Sequence, residues 1–321
     1  MYSKNIYLFN FFTLTIICLL LCTCTSTEKL DDFDMHVKDK NYQCTLTPPD
    51  GIKIANNLFY DQEEITNTNW REYLYWIKQV YGTSSDEYKA ALPDTTVWVD
   101  SLTIHLSMYC LSSYVRYYLR HPAYNEYPVV GVSQKQATEL AKWRSDRVME
   151  LILVDNGKIE WDSMQTRETH FTIERYFSGN YKNIKPDTNF KYYPCFRLPT
   201  VVEWRKAVHY SDSVNKLICR DTVLKFQSDI DPCDRESLMK NVLDTIEWTV
   251  NVTSGCKGKR LFPIYNLRGN VSEWTSDSEV CVGGGWIDKR QVILSQDTFH
   301  LKTQNAWTGF RNVCEWKKWT K

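Results

Sequence analysis

The strongest candidate for chemistry in this sequence is a short loop near its carboxyl end, residues 265–277, which reads YNLRGNVSEWTSD. Glycine is rare, with 12 occurrences in 321 residues, and here one stands among asparagine, glutamate and tryptophan. Glycine permits positive φ values, so a backbone of this composition can turn several carbonyl groups toward one point. Such a point suits calcium, which takes oxygen ligands from carboxylates, amide side chains and backbone carbonyls. The residues that could supply these oxygens are Asn266, Gly269, Val271 and Glu273.

The same loop also has a purely structural interpretation. Asn270 and Glu273 can hydrogen-bond a buried turn without any metal ion. The loop lacks the ligand spacing that identifies an EF-hand. The residue pattern alone therefore leaves both interpretations open.

Several motifs occur in the same order as in a known family. They are RLPT followed by EW at 197–204, N-x-x-G-N-V-x-E-W-T-S-D at 266–277, GGGW at 283–286 and GFR at 309–311. Together they resemble the formylglycine-generating-enzyme domain, also called the sulfatase-modifying factor domain. Two upstream segments agree with this resemblance, DQEEITN at 61–67 and YPVVGVS at 127–133.

This resemblance implies a fold and a set of site residues. The implied fold is α+β, irregular and loop-rich, of the formylglycine-generating-enzyme type that is related to C-type lectins. In that family the loop binds calcium, and the positions that correspond to its ligands are Asn266, Gly269, Val271 and Glu273. The other motif residues are expected to have structural roles, and they are Arg197, Asn270, Trp274, Trp286 and Arg311.

The resemblance does not extend to the copper site of the family's enzymes. That site uses two cysteine thiolates separated by four residues, and Cu(I) is a soft cation that prefers sulfur. When the sequences are aligned on Trp286, the two positions hold Asp288 and Ile293, and the chain contains no Cys-x4-Cys motif. The six histidines are scattered without the spacing of an iron or zinc site. We therefore expect no copper, and a non-catalytic role is favoured over an enzyme.

The amino terminus has the features of a lipoprotein signal peptide over residues 1–23. Lys4 provides a positive charge, and the apolar core at 11–21 is shorter than the roughly 20 residues that span a bilayer. The sequence LCTCTS at 21–26 resembles a bacterial lipobox in which Cys24 is lipidated. Acyl chains on Cys24 would anchor the protein in the membrane, and we expect the outer membrane. Cleavage into the periplasm without a lipid, or an uncleaved anchor, are the alternatives.

Composition is consistent with a polar tether at 24–45 followed by one sulfatase-modifying factor-like domain at 46–316. The chain is 43% apolar and 14% aromatic, enough for a large single core, although its length also allows two domains. Lys+Arg and Asp+Glu both number 39, which gives no reason to expect nucleic acid as a partner. Of 11 cysteines, the eight that follow Cys24 could form disulfides in an oxidising compartment, and we expect Cys219 to pair with Cys233.

Local patterns predict three helices and several short strands. The first helix starts near Thr66 or Asn67 and carries apolar residues at helical spacing, namely Trp70, Tyr73, Leu74, Ile77 and Val80. We interpret the aromatic residues of this stripe as core rather than as a ligand-binding box. Capping boxes of Ser133 with Gln136, and of Thr200 with Glu203, predict the other two helix starts. Strands are predicted at 52–54, 58–60 and 93–99.

Two further sequence segments resemble one particular group of proteins that contain this domain. PDTTVW at 93–98 and HPAYNEYPVVGV at 121–132 are similar to the gliding-motility lipoproteins of Bacteroidetes, of the GldJ and GldK kind, which work with the type IX secretion apparatus. This implies protein partners in such an envelope complex and a structural or assembly role. The alternative is a lectin-like lipoprotein that binds glycans or peptides in a surface groove near Trp274, Trp286 and Trp307.

Overall fold

The first of two small sheets joins the two ends of the folded region. The structure is a computed structural model that describes residues 47–102, 114–221, 264–288 and 290–320. Strands β1 (Gly51–Ala55), β2 (Leu58–Asp61), β3 (Tyr192–Arg197) and β8 (Val313–Lys318) form a sheet in the order β1-β2-β8-β3, with all neighbours antiparallel. The last strand lies between two earlier ones, so the sheet cannot form until the carboxyl end is in place. The predicted signal peptide, Cys24 and the tether lie outside the described residues.

The second sheet contains, in one of its two central strands, the end of the loop at residues 265–277. It contains β4 (Ser272–Trp274), β5 (Val280–Val282), β6 (Thr298–His300) and β7 (Thr308–Gly309), in the order β6-β5-β4-β7. Strands β4 and β7 are parallel, and the other neighbours are antiparallel. Glu273 lies opposite Val282 on one side and Gly309 on the other. Strand pairing on both sides therefore fixes the backbone at Glu273.

Seven α-helices are described around these sheets. They are α1 (Asn67–Tyr81), α2 (Asp86–Ala91), α3 (Val97–Leu102), α4 (Gln134–Asp155), α5 (Ile173–Phe177), α6 (Val201–Asp221) and α7 (Arg290–Ser295). Helices together with two small sheets confirm the predicted α+β class. In the described ranges, no helix has both the length and the apolar character needed to cross a membrane.

The three predicted helix starts are confirmed, and each is a reciprocal capping box. At α1 the side chain of Thr66 accepts a hydrogen bond from the backbone of Asn69, whose side chain in turn accepts from the backbone of Thr66. Ser133 and Gln136 make the same pair of bonds at α4. At α6, Glu203 Oε2 accepts from the backbone N–H of Thr200 at 2.8 Å. These local bonds satisfy amide groups that a helix end otherwise leaves unpaired.

The strands predicted at 52–54 and 58–60 correspond to β1 and β2, but the strand predicted at 93–99 is wrong, because helix α3 begins at Val97. Asp94 Oδ1 accepts hydrogen bonds from the backbone N–H and the hydroxyl of Thr96, at 2.9 and 2.6 Å. This local turn competes with extended structure and leads the chain into a helix. The β-branched residues before Trp98 favour a strand, but the turn and the burial of Trp98, which is 2% exposed, outweigh that preference.

Backbone hydrogen bonds of Gly131 connect the start of this turn to the rest of the core. Its carbonyl oxygen accepts a hydrogen bond from the backbone N–H of Asp94 at 2.8 Å, and its own N–H donates to the carbonyl oxygen of Asn305 at 3.0 Å. Its φ is +72°, a conformation that glycine adopts without steric cost.

We predict that Gly131→Ala destabilises the protein more than Gly157→Ala. Both glycines have positive φ, so alanine costs about 1–2 kcal/mol at either position. At Gly131 a Cβ would also lie 2.3 Å from the carbonyl oxygen of Asp94, whereas at Gly157 nothing lies within 4 Å. This clash adds roughly 1–3 kcal/mol, and urea denaturation of the two variants measures the difference. Equal losses would contradict the tight approach at Asp94.

Candidate functional site

The candidate site is the loop that enters β4, and its backbone is curled by positive φ angles at three residues. Asn266, Gly269 and Asn270 have φ values of +47°, +88° and +58°. The loop is tied down by hydrogen bonds from the N–H of Gly269 to the carbonyl of Gly283, at 3.0 Å, and from the N–H of Trp286 to the carbonyl of Asn270, at 2.8 Å. The GGGW motif therefore holds the loop in place from outside.

Glu273 lies in β4 with no exposed surface. Its Oε1 accepts two hydrogen bonds from Arg311, from Nε at 2.8 Å and from a terminal nitrogen at 2.5 Å. Its Oε2 is buried and has no hydrogen-bond partner in the described part of the chain. Burial raises the pKa of Glu273 to about 7, while the positive charge of Arg311 opposes that rise.

Arg311 is itself fully buried and contacts three segments of the chain. Besides Glu273, its guanidinium donates to the carbonyl of Tyr265 at 2.9 Å and to the carbonyl of Gln62 at 3.3 Å. It also lies 3.8 Å from Oε2 of Glu64. Burial alone would lower the pKa of Arg311, but the two carboxylates raise it. The guanidinium therefore stays charged.

Glu64 completes the cluster and was not identified as a site residue from the sequence. It is 2% exposed, and it accepts hydrogen bonds from the side-chain amides of Asn270 and Asn266 at 3.1 and 3.3 Å. Its only sequence signal was its place in the DQEEITN motif, where its neighbours do not predict burial. Burial raises the pKa of Glu64, and Arg311 lowers it.

The cluster has an excess of negative charge. Glu64 and Glu273 share the single guanidinium of Arg311. The nearby Asp61 does not add to this excess, because Arg144 pairs with it at 2.6 Å. When both carboxylates are ionised, they leave one negative charge that a second cation or a proton must compensate, since a buried charge without a partner is costly.

The four residues predicted as calcium ligands lie within eight positions of the chain, with Asn266, Gly269 and Val271 in the loop before β4 and Glu273 in β4. The cluster offers carboxylate, amide and carbonyl groups, which are the hard oxygen donors that calcium prefers. Glu273 Oε2, buried and without a partner among the described residues, is the atom that fits a cation best.

The remaining predicted motif residues have structural contacts. Arg197 binds both carboxylate oxygens of Glu203, at 2.8 and 2.6 Å, and also contacts Glu315, so it braces the start of α6 against β8. Trp274 and Trp286 donate their indole N–H groups to backbone carbonyls, each at 2.9 Å.

The surface groove expected near Trp274, Trp286 and Trp307 is not supported by the first two positions, and Trp307 is partly buried against the same core as Trp286. Trp274 and Trp286 are 2% and 4% exposed and pack in two different groups of the core. Their rings offer no accessible face to a glycan or a peptide.

The described cysteines form no disulfide and no paired thiol site. Cys195, Cys281 and Cys314 are not disulfide-bonded. Cys195 lies opposite Glu315, and Cys314 lies opposite Phe196, so the two side chains point to opposite faces of the first sheet. Burial raises the pKa of Cys281 to about 12, which keeps its thiol protonated. The predicted pair Cys219 and Cys233 lies outside the described side chains.

We predict that Arg311→Met destabilises the protein by about 3–5 kcal/mol, because it leaves two carboxylates buried without a cation. Adding Glu273→Gln should recover part of this loss, and a double-mutant cycle measured by denaturation gives the coupling. The control is Arg205→Met, which breaks an exposed pair with Asp297 at 3.0 Å and should cost at most about 1 kcal/mol. A loss at Arg311 as small as that at Arg205 would contradict the central role of the cluster.

Comparison with known proteins places the chain in a family. Residues 28–316 match the family described as sulfatase-modifying factor enzyme 1-like domain. No curated protein matches the chain. Among solved structures, the crystal structure of CarF is similar at 16% sequence identity over 80% of this chain and 86% of CarF, with a TM-score of 0.37, which is too low to carry an argument. Since the family match covers most of the sequence and all the motifs above, the chain belongs to the sulfatase-modifying factor enzyme 1-like domain family.

Proposed function

We propose that this chain is a non-catalytic member of its family. In this proposal it is an outer-membrane lipoprotein whose domain is a structural or assembly component of a gliding-motility or type IX secretion complex. The observation that carries the non-catalytic part is the pair Asp288 and Ile293, at the positions where the family's enzymes have copper-binding cysteines. A carboxylate and an alkyl group do not form the two-sulfur site that Cu(I) requires.

The surroundings of these two residues support the proposal. Ile293 is 3% exposed, and a Cβ placed on Gly284 would lie only 2.7 Å from its Cγ1. Asp288 Oδ2 accepts a hydrogen bond from the backbone N–H of Gly285 at 2.8 Å, and the N–H of Asp288 donates back to the carbonyl of Gly285 at 2.9 Å. One residue packs the core and the other closes a turn, so both have structural roles.

Residues 127–132, the second half of one run that resembles gliding-motility lipoproteins, are buried, whereas residues 121–126 are exposed or partly exposed. The N–H of Val129 donates to the carbonyl of Ile65 at 2.9 Å, and the hydroxyl of Tyr118 donates to the carbonyl of Pro128 at 2.7 Å. Val129 has no exposed surface. The contacts of the buried half favour a shared scaffold.

The proposed anchor gives the domain access to partners at a distance from the membrane. Cys24 would carry the acyl chains, and the polar segment 24–45 separates it from the domain. Those 22 residues can extend to roughly 70 Å. A tether of this length lets the domain reach an envelope complex while remaining attached to the membrane.

A structural calcium ion in the loop belongs to the same proposal. The buried cluster has one more negative charge than positive charge, and Glu273 Oε2 is the oxygen without a partner in the described residues. Asn266, Gly269 and Val271 would supply the remaining protein oxygens. The ion would neutralise buried charge and stabilise the curled loop.

We predict that a calcium chelator lowers the melting temperature of the protein by roughly 5–10 °C, because loss of a ligand held at 100 times its dissociation constant costs about 2.7 kcal/mol. Glu273→Gln should remove most of this chelator effect. Glu279→Gln, a change at an exposed residue of the next turn, should leave it unchanged. An equal chelator effect in the parent protein and in Glu273→Gln would exclude Glu273 as a ligand.

The assembly role is tested by gentle detergent extraction of the full-length protein from its native envelope, followed by affinity capture and mass spectrometry. We expect secretion or gliding components in a fixed ratio to the captured protein. The Cys24→Ser variant should leave the membrane fraction and lose these components. Recovery of the parent protein alone would contradict the assembly role, and membrane retention of Cys24→Ser would contradict the lipid anchor.

A further inference from the structure

A second feature of the domain, separate from the loop, is a cavity of about 650 Å³ between α1 and α4. This volume falls in the range of about 300–1,000 Å³ that is common for small-molecule sites. The cavity is also bordered by α2 and by the segment that contains His170. It shares no lining residue with the cluster of Glu64, Glu273 and Arg311.

One wall of the cavity is a continuous aromatic surface. Tyr73 lies with its ring centroid 5.2 Å from that of Trp143, and Trp76 lies 6.3 Å from Trp143. Trp76 also makes edge contacts with Tyr81 and His170, at 6.0 and 5.6 Å. Tyr73 and Trp76 are three residues apart on α1, which places them on one face of the helix.

Helix α4, which contributes Trp143 to the aromatic surface, also presents a polar stripe to the cavity. Its members recur at spacings of three or four residues, and they are Lys135, Glu139, Lys142 and Asp146. The 11 residue steps from Lys135 to Asp146 correspond to about 16 Å along the helix axis. The cavity is therefore an elongated groove that offers aromatic rings from both helices and hydrogen-bonding side chains from α4.

Charges on the groove wall are balanced. Glu139 pairs with Lys142 at 2.9 Å, and Glu87 pairs with Arg167 at 2.7 Å. The other two charged residues of the lining, Lys135 and Asp146, have opposite signs. The groove has no net preference for an anion or for a cation.

Asp146 provides the groove with a carboxylate whose second oxygen is not needed for the hydrogen bond to the backbone. One of its oxygens accepts a hydrogen bond from the backbone N–H of Ile173 at 2.8 Å, at the start of α5. It makes no ion pair with the described residues. Burial raises the pKa of Asp146 to about 6, while the bond from Ile173 opposes that rise.

His170 also lines the groove and contributes a neutral ring. Burial lowers the pKa of His170, and the charge of Arg175 lowers it further. The imidazole Nε2 lies 3.2 Å from the hydroxyl of Tyr81. Its Nδ1 lies 3.1 Å from the carbonyl oxygen of Thr166, so both ring nitrogens have partners within the protein and the ring adds no charge to the groove.

The groups that line the groove indicate which class of ligand it can bind. Both long walls are helices, whose backbone groups bond within the helix, so the groove offers no strand edge to pair with an extended peptide. A carbohydrate presents apolar C–H faces, which suit aromatic rings, and hydroxyl edges, which need both donors and acceptors. We propose that the groove between α1 and α4 binds a short, uncharged oligosaccharide, with Trp143 and Trp76 under its apolar faces and Asp146 accepting from its hydroxyls.

The test uses the full-length protein on an array of neutral oligosaccharides, followed by saturation-transfer NMR titration of the best trisaccharide found. We expect saturable binding that weakens about tenfold or more in Trp143→Leu and in Asp146→Asn. Asp146→Asn keeps the oxygen that accepts from Ile173, so this variant tests the groove if Trp143→Leu fails to fold. The control is Tyr75→Leu, at an aromatic residue of the same helix that is 65% exposed and does not line the groove.

Three outcomes would overturn the proposal. They are the absence of saturable binding to every neutral oligosaccharide, binding that survives both groove variants, and equal weakening in Tyr75→Leu. A proline-rich peptide, which also docks on aromatic grooves, is titrated in parallel. Peptide binding that is lost in the groove variants, without oligosaccharide binding, would assign the groove to a peptide instead. None of these outcomes depends on the proposed assembly role.

Discussion

The domain depends on one buried cation, Arg311. Its guanidinium has no exposed surface and makes bonds to the segment before α1, to the loop before β4 and to Glu273 within β4. An arginine in this position cannot relieve its burial by losing its proton, so the protein must provide acceptors for it. Because those acceptors come from residues more than 200 positions apart in the sequence, the cluster forms only when both ends of the domain have come together. The same is true of β8, which lies between β2 and β3. Contacts of such long range make folding slow and cooperative.

Helix α4 connects the first sheet to the groove, because it contacts both. One face of the helix is fixed to the first sheet, where Arg144 pairs with Asp61 at 2.6 Å and Ser145 Oγ accepts from the backbone N–H of Phe196 at 2.8 Å. The neighbouring face carries Lys142 and Asp146 into the groove. Helix α1 is anchored in a similar way, since the buried amide of Asn67 donates to two backbone carbonyls at 3.0 and 3.1 Å. Both walls are thus held before any ligand arrives, which reduces the entropy cost of binding.

The sequence was sufficient for features that short-range chemistry decides. The capping boxes at Thr66, Ser133 and Thr200 mark helix starts because each uses only neighbouring residues. The strand expected at 93–99 was wrong because Asp94 makes a local turn that β-branched residues conceal. Burial of Glu64 and Trp286 depends on partners far away in the chain, so no local pattern could predict it. The aromatic stripe of α1 was interpreted as core, and Trp70 agrees with this at 0% exposure, but Tyr73 also faces the groove.

The charge of the Arg311 cluster links its structural role to the proposed metal. A single arginine would balance one carboxylate, yet Glu64 and Glu273 both lie against it. Arg311 uses only Oε1 of Glu273 and leaves Oε2 without a partner in the described residues. A cation at Oε2 would therefore add to the arginine rather than compete with it. Asn266 and Asn270 turn their amide N–H groups toward Glu64, so the second carboxylate already has neutral donors. The two halves of the cluster are therefore unequal, because both oxygens of Glu64 accept from side-chain amides, whereas Oε2 of Glu273 has no hydrogen-bond donor among the described residues. In the proposed arrangement, this asymmetry is the reason to expect the calcium ion at Glu273 rather than at Glu64.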